Sequence, residues 1–454
     1  MRRKVTEVFE RWMRKTSKKC LLVKGCRQVG KTYSILEFAE RNYQTVIYLN
    51  FEKNPRDKEI FEGDLDVGTI MERIALRTGK SITPEGTILI LDEIGYCAEA
   101  YSSLKWFTQD GRYDVIASGS LLGILLNKKD DALSPMGFVE VCEMHPMDFE
   151  EFLWSMGVSQ RHIDHVRDAI ERETPIDRFV LNSFNDLFRR HLIVGGMPEA
   201  VNEYSRTKDY PKTRKILEDI MSQLKDDVAK YSSKPNRIKI LQCLESIPSQ
   251  LAKENDIFQY GDVEKANASS RKFGSALGWL ENAGVAHRSK NLLEPRVPLS
   301  VNEREDSFKM FMCDTGLLMT MMDYGDAYTL YSRDPFCNNG AVMECAIAIA
   351  LVANGQTLRF FRNRDSTMEL DFVLPDTEHI VGIEVKSGRK KRSSSLLKMQ
   401  RTYGNSRGVK LADGNISVDE NGTLHLPLFA CCFMKEPRPE IPAPDYLDSL
   451  SDNS

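Results

Sequence analysis

The sequence predicts an α/β fold with a doubly wound parallel sheet at its N-terminal end, on three observations. Continuous apolar runs with the length of buried strands recur through the first 119 residues. Segments with helical apolar spacing separate these runs. Polar residues follow the runs directly, where ligand groups gather in a parallel sheet. The alternation of strand and helix is typical of α/β domains.

Length and composition indicate a globular protein of roughly two to four domains. The chain has 454 residues, 41% hydrophobic and 28% charged, with a net charge of −4. A net charge near zero does not indicate nucleic-acid binding, so any such contact must come from local basic patches. No apolar run approaches transmembrane length, and the basic start lacks a signal-peptide core. We therefore expect a soluble, cytoplasmic protein with no membrane contact. Its ten cysteines form no CxxC pair or zinc spacing, which predicts reduced, mostly structural thiols.

A glycine-rich turn lies between a predicted strand, Leu21 to Lys24, and a predicted helix, Tyr33 to Phe38. The turn matches GxxxxGK(S/T), whose glycines let successive N–H groups point at a phosphate. We expect Lys31 to reach the β- and γ-phosphates of a nucleotide and Thr32 to bind Mg²⁺. The predicted cofactor-binding residues of this loop are Gly25, Cys26, Arg27, Gln28, Val29, Gly30, Lys31, Thr32 and Tyr33.

Two carboxylates, Asp92 and Glu93, end a second buried run that begins at Thr87. We expect Asp92 to hold the Mg²⁺ shell and Glu93 to orient or deprotonate the attacking water. A further run, Tyr113 to Ala117, ends at Ser118, which either senses the γ-phosphate or belongs to a plain turn. Residues 1–132 are therefore predicted to bind and hydrolyse ATP.

Residues 133–230 have mainly helical patterns and predict a lid over this core. His145 to Trp154 opens a helix that Asp148 would cap, and 161–190 is charged and helical. Arg189 and Arg190 either supply charge to a nucleotide phosphate or lie on a solvated helix face.

Residues 231–300 predict a winged-helix-like domain. Helical runs at 238–247, 263–266 and 271–282 precede a short strand at 285–288. Such a domain either places a recognition helix in a DNA groove or packs against protein.

Residues 301–436 carry a second set of chemical side chains. The helix at 340–352 is apolar except for the carboxylate of Glu344. Because charged residues are rarely buried without a partner, we expect this carboxylate to have a specific role. Predicted strands at 368–374 and 381–386 would lie side by side, with alternate side chains on one face. Together these elements would gather Glu344, Asp371, Glu384 and Lys386.

This set resembles the PD-(D/E)xK nuclease constellation, where carboxylates hold Mg²⁺ or Mn²⁺ and the lysine stabilises charge or positions water. The resemblance implies Glu344, Asp371 and Glu384 as metal ligands, and Asp371, Glu384 and Lys386 as catalytic residues. The alternative is a degenerate nuclease fold kept for structure or binding. The basic run 389–392 would either contact phosphates or form a solvated turn. We expect a final strand from Leu424 to Cys432 and disorder in residues 437–454.

Motifs along the whole chain resemble the prokaryotic AAA-type ATPases with a C-terminal domain of unknown function that is itself similar to restriction endonucleases. They lie at residues 25–32, 91–94, 118–120, 146–154, 195–199, 246–251, 314–318, 369–372 and 384–388. The resemblance implies an ATP-binding core, a winged-helix middle and a nuclease-like end. One departure is Phe138, where relatives would carry a basic residue, so a trans-acting arginine is not supplied at that position.

The chain thus has two sets of candidate site residues, the N-terminal nucleotide-binding set and the C-terminal carboxylate–lysine set. Together they predict an ATPase, a P-loop NTP hydrolase, in which Mg·ATP gates a C-terminal metal-dependent DNA nuclease-like site. The alternative is a nucleotide-switched DNA- or protein-binding regulator with an inactive C-terminal fold. A third hypothesis is an ATPase that remodels a protein partner. ATP and ADP are the expected ligands, and DNA contact and homo-oligomer formation are left open.

Overall fold

The structure, a computed structural model, describes residues 1–119, 135, 137–231, 234–265, 268–323, 340–376, 380–386, 394–404 and 406–434. The predictions for residues 120, 389–392 and 437–454 lie outside this part of the chain. The α-helices are α1 (Val5–Met13), α2 (Lys31–Asn42), α3 (Val67–Thr78), α4 (Ala98–Asp110), α5 (Phe149–Ser155), α6 (Gln160–Glu171), α7 (Arg178–Val194), α8 (Pro198–Thr207), α9 (Tyr210–Tyr231), α10 (Lys234–Leu251), α11 (Tyr260–Val263), α12 (Ser270–Asn282), α13 (Thr315–Thr320), α14 (Gly340–Ala353) and α15 (Ser394–Thr402).

The strands form three sheets. They are β1 (Cys20–Lys24), β2 (Thr45–Asn50), β3 (Thr87–Asp92), β4 (Asp114–Gly119), β5 (Val139–Glu143), β6 (Ala286–Leu292), β7 (Glu303–Met312), β8 (Arg359–Arg362), β9 (Glu369–Leu370), β10 (Phe372–Pro375), β11 (Ile380–Val385), β12 (Ser406–Ala412), β13 (Ser417–Val418) and β14 (Leu424–Pro427). Short 3₁₀ helices cover Pro55–Phe61, Ile94–Tyr96, Leu299–Asn302 and Leu428–Phe433.

The N-terminal sheet is parallel, in the order β2-β3-β4-β1-β5. Its strand β3 is buried on both faces because it alternates between two hydrophobic cores. Ile88 and Ile90 face the core that includes α1 and α2, whereas Leu89 and Leu91 face the core that includes α3 and α4. Helices therefore cover both faces, and the predicted α/β class with an N-terminal parallel sheet is confirmed.

The helical region that follows is divided more finely than the sequence predicted. Asp148 caps α5 and forms a reciprocal capping box with Glu151, as the cap prediction required. The predicted helical stretch 161–190 is wrong as a single element, because the chain leaves the helix after Glu171. Pro175 follows the break, and Asp177 starts α7 by accepting hydrogen bonds from the N–H groups of its first turn.

The middle region and the C-terminal region share a sheet of order β7-β6-β8-β9. The predicted short strand at 285–288 is the longer β6, which pairs antiparallel with β7 and parallel with β8. The β6–β7 pair therefore crosses the predicted domain boundary at residue 300. The predicted helix at 263–266 is also misplaced, since α11 ends at Val263.

The third sheet has the order β10-β11-β12-β14-β13. The predicted neighbours β10 and β11 pair antiparallel, with Phe372 opposite Ile383. The predicted strand from Leu424 to Cys432 is half wrong, because β14 ends at Pro427 and a 3₁₀ helix follows. Proline has no N–H to donate to a ladder, which accounts for the end of the strand.

Three segments that are distant in the sequence, at Met147, residues 195–196 and residues 314–317, meet at a tight glycine junction. The carboxylate of Asp314, which caps α13, accepts hydrogen bonds from the N–H groups of Gly196 at 2.5 Å and Leu317 at 2.9 Å. A Cβ on Gly195 would lie 2.3 Å from this carboxylate, and one on Gly196 would lie 2.1 Å from the carbonyl oxygen of Met147. The close approach therefore requires glycine at both positions.

Two expectations from composition can be compared with the described residues. The nine cysteines among them are free and buried, and Cys337 lies outside this part of the chain. Among the same residues we find no helix with the length and apolar character needed to cross a bilayer.

Candidate functional site

The phosphate loop joins β1 to α2, and its glycines are required by its geometry. Gly30 has a φ of 88°, in the left-handed region, immediately before the first turn of α2. A Cβ on Gly25 would lie 2.1 Å from the carbonyl oxygen of Met144. The backbone can therefore curl at the end of β1 only because these positions lack side chains.

Arg3 anchors the loop from the N-terminal segment, a contact that the sequence did not predict. Its guanidinium donates to the carbonyl oxygens of Val29 at 2.7 Å and His145 at 2.8 Å. Its Nε donates to the carboxylate of Glu151 at 2.9 Å, and the arginine is buried. The basic start of the chain thus has a structural partner for one of its charges, and no local pattern could have identified it.

Lys31 lies inside the curl of the loop. Its Nζ donates to the carbonyl oxygens of Gly25 at 2.9 Å and Cys26 at 2.8 Å. Burial lowers the pKa of Lys31, and the negative charge of Glu93 opposes that shift. Both hydrogen bonds go to neutral carbonyl groups, so they do not neutralise the positive charge of Lys31, which can still interact with an anion.

The carboxylate of Asp92, at the end of β3, accepts hydrogen bonds from polar side chains near the ends of β2 and β4 and in the first turn of α2. Its Oδ2 accepts hydrogen bonds from Thr32 Oγ1 at 3.0 Å, the Tyr48 hydroxyl at 2.7 Å and Asn50 Nδ2 at 3.0 Å. Its Oδ1 accepts one from the Ser118 hydroxyl. The structure therefore brings together the predicted residues Thr32, Asp92 and Ser118, and it adds two residues from β2. Position at the carboxyl end of a parallel strand is the signal that could have found them.

Glu93 follows Asp92 with an unusual backbone, since its φ is 51° in the left-handed region. Burial raises the pKa of its carboxyl group, and the charge of Lys31 partly opposes this. A carboxylate with a raised pKa is a stronger base than an exposed one, which suits the predicted role in activating water.

A cavity of about 230 Å³ lies over the loop, between the nucleotide domain and α9. Arg27 forms an ion pair with Asp227 at 2.8 Å, and the side-chain amides of Gln28 and Gln223 are hydrogen-bonded. The residues that line the cavity are Arg27, Gln28, Gly30, Lys31, Thr32, Tyr33 and Glu93 from the nucleotide domain, and Ile220, Gln223, Leu224 and Asp227 from α9.

The two arginines predicted from the helical region do not line this cavity. Arg189 is buried and pairs with Asp186 at 3.0 Å and Asp413 at 3.3 Å. For Arg189 both predicted alternatives, a phosphate contact and a solvated face, are therefore wrong. Because the guanidinium of Arg189 is removed from water, its charge requires compensation, which the two aspartates supply.

The C-terminal set predicted from sequence is gathered around β11. Asp371 lies between β9 and β10, and its Oδ2 accepts a hydrogen bond from the Val385 N–H at 2.6 Å. Glu384 pairs with Lys386, with 2.6 Å between Oε1 and Nζ. Glu344 projects from α14 and interacts electrostatically with Asp371 and Lys386.

Lys309 of β7 lies among these carboxylates, and the sequence prediction did not include it. Its side chain is 1% exposed, and its ammonium group pairs with Asp256 as well as with Glu344 at 3.5 Å and Glu369 at 3.9 Å. Arg362 pairs with Asp256 at 3.3 Å and also with Glu369. The signal was local, because the last six residues of β7 are all buried and Lys309 alone among them is charged.

The cluster is strongly coupled electrostatically. Burial raises the pKa of Glu344 to about 8 and that of Asp371 to about 6, while Lys309 opposes both shifts. Burial acts to lower the pKa of Lys309, but Glu344, Asp256 and Asp371 together outweigh it and the pKa is raised. Lys309 therefore remains charged in a dry environment because carboxylates surround it.

The two predicted metal positions differ in how well their side chains fit a divalent ion. Thr32 and Asp92 bring a hydroxyl and a carboxylate together, the donor set that Mg²⁺ uses beside nucleotide phosphates. At the C-terminal cluster the carboxylates face Lys309, Lys386 and a backbone N–H instead. Within the described ranges, no group of three or more His, Cys, Asp or Glu residues is arranged to hold a metal ion.

Comparisons with protein families assign three segments. Residues 17–153 match an AAA domain, which contains the phosphate loop, Asp92 and Glu93 and supports nucleotide binding in a P-loop ATPase domain. Residues 185–327 and 339–429 match two domains of unknown function, DUF8612 and DUF4143. Helix α9 and Lys309 lie in the first of these segments, and the predicted C-terminal site residues lie in the second. No curated protein sequence matches the chain.

Several solved structures are similar to this chain, at low identity and with TM-scores below 0.5. A Walker-type ATPase of Pyrococcus abyssi is 14% identical, with a TM-score of 0.41, over 71% of this chain and 95% of that one. The Aeropyrum pernix ORC1 protein in complex with DNA is 14% identical, with a TM-score of 0.27, over 73% and 91%. The Thermotoga maritima RuvB Holliday junction branch migration motor is 14% identical, with a TM-score of 0.28, over 63% and 88%. Likenesses of this size carry no argument about substrate or partner.

Proposed function

We propose that this protein is an AAA-type ATPase that binds ATP at the phosphate loop and hydrolyses it with Mg²⁺. The observation that carries the proposal is the hydrogen bond from Thr32 to Asp92, beside the ammonium group of Lys31. This arrangement puts a hydroxyl, a carboxylate and a cation at one end of a parallel sheet, as phosphoryl transfer requires.

Each residue has a separate role in this proposal. Lys31 exchanges its two carbonyl partners for the β- and γ-phosphates, to which its charge is better matched. Thr32 and Asp92 would hold Mg²⁺, which supplies charge neutralisation for the phosphates when it is bound. Glu93 orients or deprotonates the attacking water. Ser118 either contacts the γ-phosphate or positions Asp92 through their hydrogen bond.

Binding and turnover of ATP test the proposal separately. Isothermal titration with ATP and Mg²⁺ should show binding by the wild type and by Glu93→Gln, and no binding by Lys31→Ala. Of these three proteins only the wild type should release phosphate, because Lys31→Ala lacks bound ATP and Glu93→Gln keeps the binding groups but lacks the base. Arg41→Ala is the control, since Arg41 pairs with Glu37 on the exposed face of α2, away from the loop. Unchanged ATP affinity in Lys31→Ala would overturn the assignment of the loop.

Gating of a C-terminal DNA nuclease-like site by ATP remains a prediction, as does its alternative, a DNA- or protein-binding regulator with an inactive C-terminal fold. The proximity of Asp371, Glu384 and Lys386 supports the first. Helices α10 to α12 followed by β6 and β7 supply the elements of the predicted winged helix, whose contact with DNA is likewise a proposal. Homo-oligomer formation is also untested, and light scattering of the purified protein would measure it.

A cleavage assay separates the two alternatives. Supercoiled and linear DNA would be incubated with Mg²⁺ or Mn²⁺, with and without ATP, for the wild type, Lys386→Ala and Lys31→Ala. Cleavage that is lost in Lys386→Ala and altered in Lys31→Ala supports the gated nuclease. Absence of cleavage by a wild-type protein that still binds ATP supports the regulator.

A further inference from the structure

We propose that the ammonium group of Lys309 occupies the position of a divalent cation in the C-terminal carboxylate cluster, so that this cluster is held together by a lysine in place of a metal. The inference shares no residue with the nucleotide site and does not depend on ATP binding. It bears on the predicted metal-dependent nuclease, because it assigns the carboxylates a different partner.

The carboxylates converge on Lys309 from separate parts of the chain. Asp256 precedes α11, Glu344 lies on α14 and Glu369 lies on β9, and all three pair with the same nitrogen atom. Convergence of carboxylate oxygens from several elements on one point is how proteins build a site for a hard divalent cation. Here that point is filled by an atom of the protein itself.

Lys309 cannot readily leave this position. It belongs to β7, where it pairs with Ser289 of β6 in an antiparallel ladder that is regular from Ala286 to Lys290. Its neighbours Phe308 and Met310 are buried, and its own side chain is 1% exposed. Its ammonium group also lies 5.0 Å from the ring centroid of Phe360, a favourable cation–π contact. Withdrawal would expose this apolar surface and remove the positive charge that the three carboxylates share.

The remaining predicted metal ligands are also contacted by groups of the protein, although Oε2 of Glu384 is buried without a hydrogen-bond partner. Glu384 pairs with Lys386, and Asp371 accepts the backbone N–H of Val385. Arg362 forms ion pairs with both Asp256 and Glu369. A divalent ion would have to displace at least one ammonium group from a buried pair, and breaking such a pair is unfavourable.

Binding of Mn²⁺ to the nucleotide-free protein, followed by electron paramagnetic resonance, tests the proposal. We expect the wild type and Asp371→Asn to bind the same amount, since the cluster takes no metal. Lys309→Met should gain one Mn²⁺ site per chain, and the double variant Lys309→Met with Glu344→Gln should lose or weaken that site, because Glu344 is one of the carboxylates that pair with Lys309. Any ion at the nucleotide site contributes equally, because none of these changes touches it.

Lys290→Met is the matched control. Lys290 is also a strand lysine paired with two carboxylates, Glu303 and Glu305, but its side chain is 27% exposed. Its removal should create no Mn²⁺ site, because Glu303 keeps its ion pair with Arg359 and Glu305 is exposed to water.

Two results would overturn the proposal. One is a Mn²⁺ site in the wild type that disappears in Asp371→Asn, a comparison that remains valid even if Lys309→Met does not fold. The other is a folded Lys309→Met protein that gains no Mn²⁺ binding over the wild type.

Discussion

Two buried lysines, Lys31 and Lys309, lie among carboxyl groups in this protein, and their surroundings differ in kind. Lys31 is 8% exposed, borders a cavity of about 230 Å³ and donates to backbone carbonyl oxygens. Lys309 is 1% exposed and pairs directly with three carboxylates. The pKa of Lys31 is lowered by burial, whereas that of Lys309 is raised because its carboxylate partners outweigh burial.

The difference shows that burial of a charge does not by itself identify a ligand site. At the phosphate loop the nearby Asp92 is bonded to hydroxyl and amide groups, so the charge of Lys31 is not consumed by it. At the C-terminal cluster the charge of Lys309 is neutralised by ion pairs with carboxylates of the same chain. The first site is suited to receive an anion, and the second is complete without a bound cation.

The largest effect on stability should come from removing the positive charge of Lys309. Lys309→Met leaves the buried Asp256 and the partly exposed Glu344 and Glu369 without their shared partner, and we expect a loss of about 3–5 kcal/mol in unfolding free energy. Urea denaturation of the wild type and the variant measures it. Lys386→Met is the control, because Lys386 is 22% exposed and its ion pair is with one carboxylate, that of Glu384. A Lys309→Met protein no less stable than Lys386→Met would break the comparison.

At the phosphate loop the same kind of change should affect binding and leave folding nearly intact. Lys31→Ala removes the cation that meets the β- and γ-phosphates, and we expect ATP affinity to fall by at least about 100-fold, or about 2.7 kcal/mol. Because the hydrogen bonds of Lys31 go to carbonyl groups and not to carboxylates, the unfolding free energy should change far less than in Lys309→Met. Titration calorimetry and urea denaturation of one preparation give both values. A large loss of stability with normal ATP affinity would reverse the contrast.

The carboxyl side of the cluster can be tested through pH. The pKa of Glu344 in the folded protein is about 8, above its ordinary value of 4.5, so folding takes up a proton between these values. The stability that this provides is complete below about pH 4.5 and is lost as the pH rises towards about 8. The loss amounts to about 1.4 kcal/mol for each step of one in pH across this range. Glu344→Gln should therefore lose less stability than the wild type as the pH rises.

Urea denaturation at several pH values across that range checks this expectation. Asp371, whose pKa is raised to about 6, acts in the same direction and is retained in the variant, so the decline should shrink without vanishing. Glu72→Gln on the exposed face of α3 should follow the wild type. Parallel curves for Glu344→Gln and the wild type would contradict the assigned proton.

What the sequence could predict was local in the chain. The strand, glycine loop and helix of residues 20–42 follow one another, so spacing alone identified Lys31 and Thr32. Asp92 was found because carboxyl ends of parallel strands meet at one edge. The strands around Asp371 and Glu384 were found by alternation, since they are neighbours in sequence as well as in the sheet.

What the sequence could not predict depends on segments that are distant in the chain. Asp256 and Lys309 meet only because β7 pairs with β6 and the chain before α11 returns beside them. Helix α9 closes the nucleotide cavity from a distant part of the sequence, and no periodicity encodes that docking. Prolines altered local predictions as well, since Pro427 ends a strand whose apolar pattern continues into a 3₁₀ helix.

The smallest effect should come from the contact that joins the phosphate loop to α9. Arg27 lies in the loop, lines the cavity and pairs with Asp227 at 2.8 Å, so its guanidinium is held where phosphates would approach. Arg27→Ala should weaken ATP binding by about 5-fold, or about 1 kcal/mol, since Lys31 remains. Asp227→Asn should weaken it less, because the guanidinium stays and only its orientation is released. Arg41→Ala, which removes an exposed arginine from α2, should leave affinity unchanged. If Asp227→Asn instead binds ATP more tightly than the wild type, Asp227 competes with the nucleotide for Arg27, and α9 restrains the site instead of supporting it.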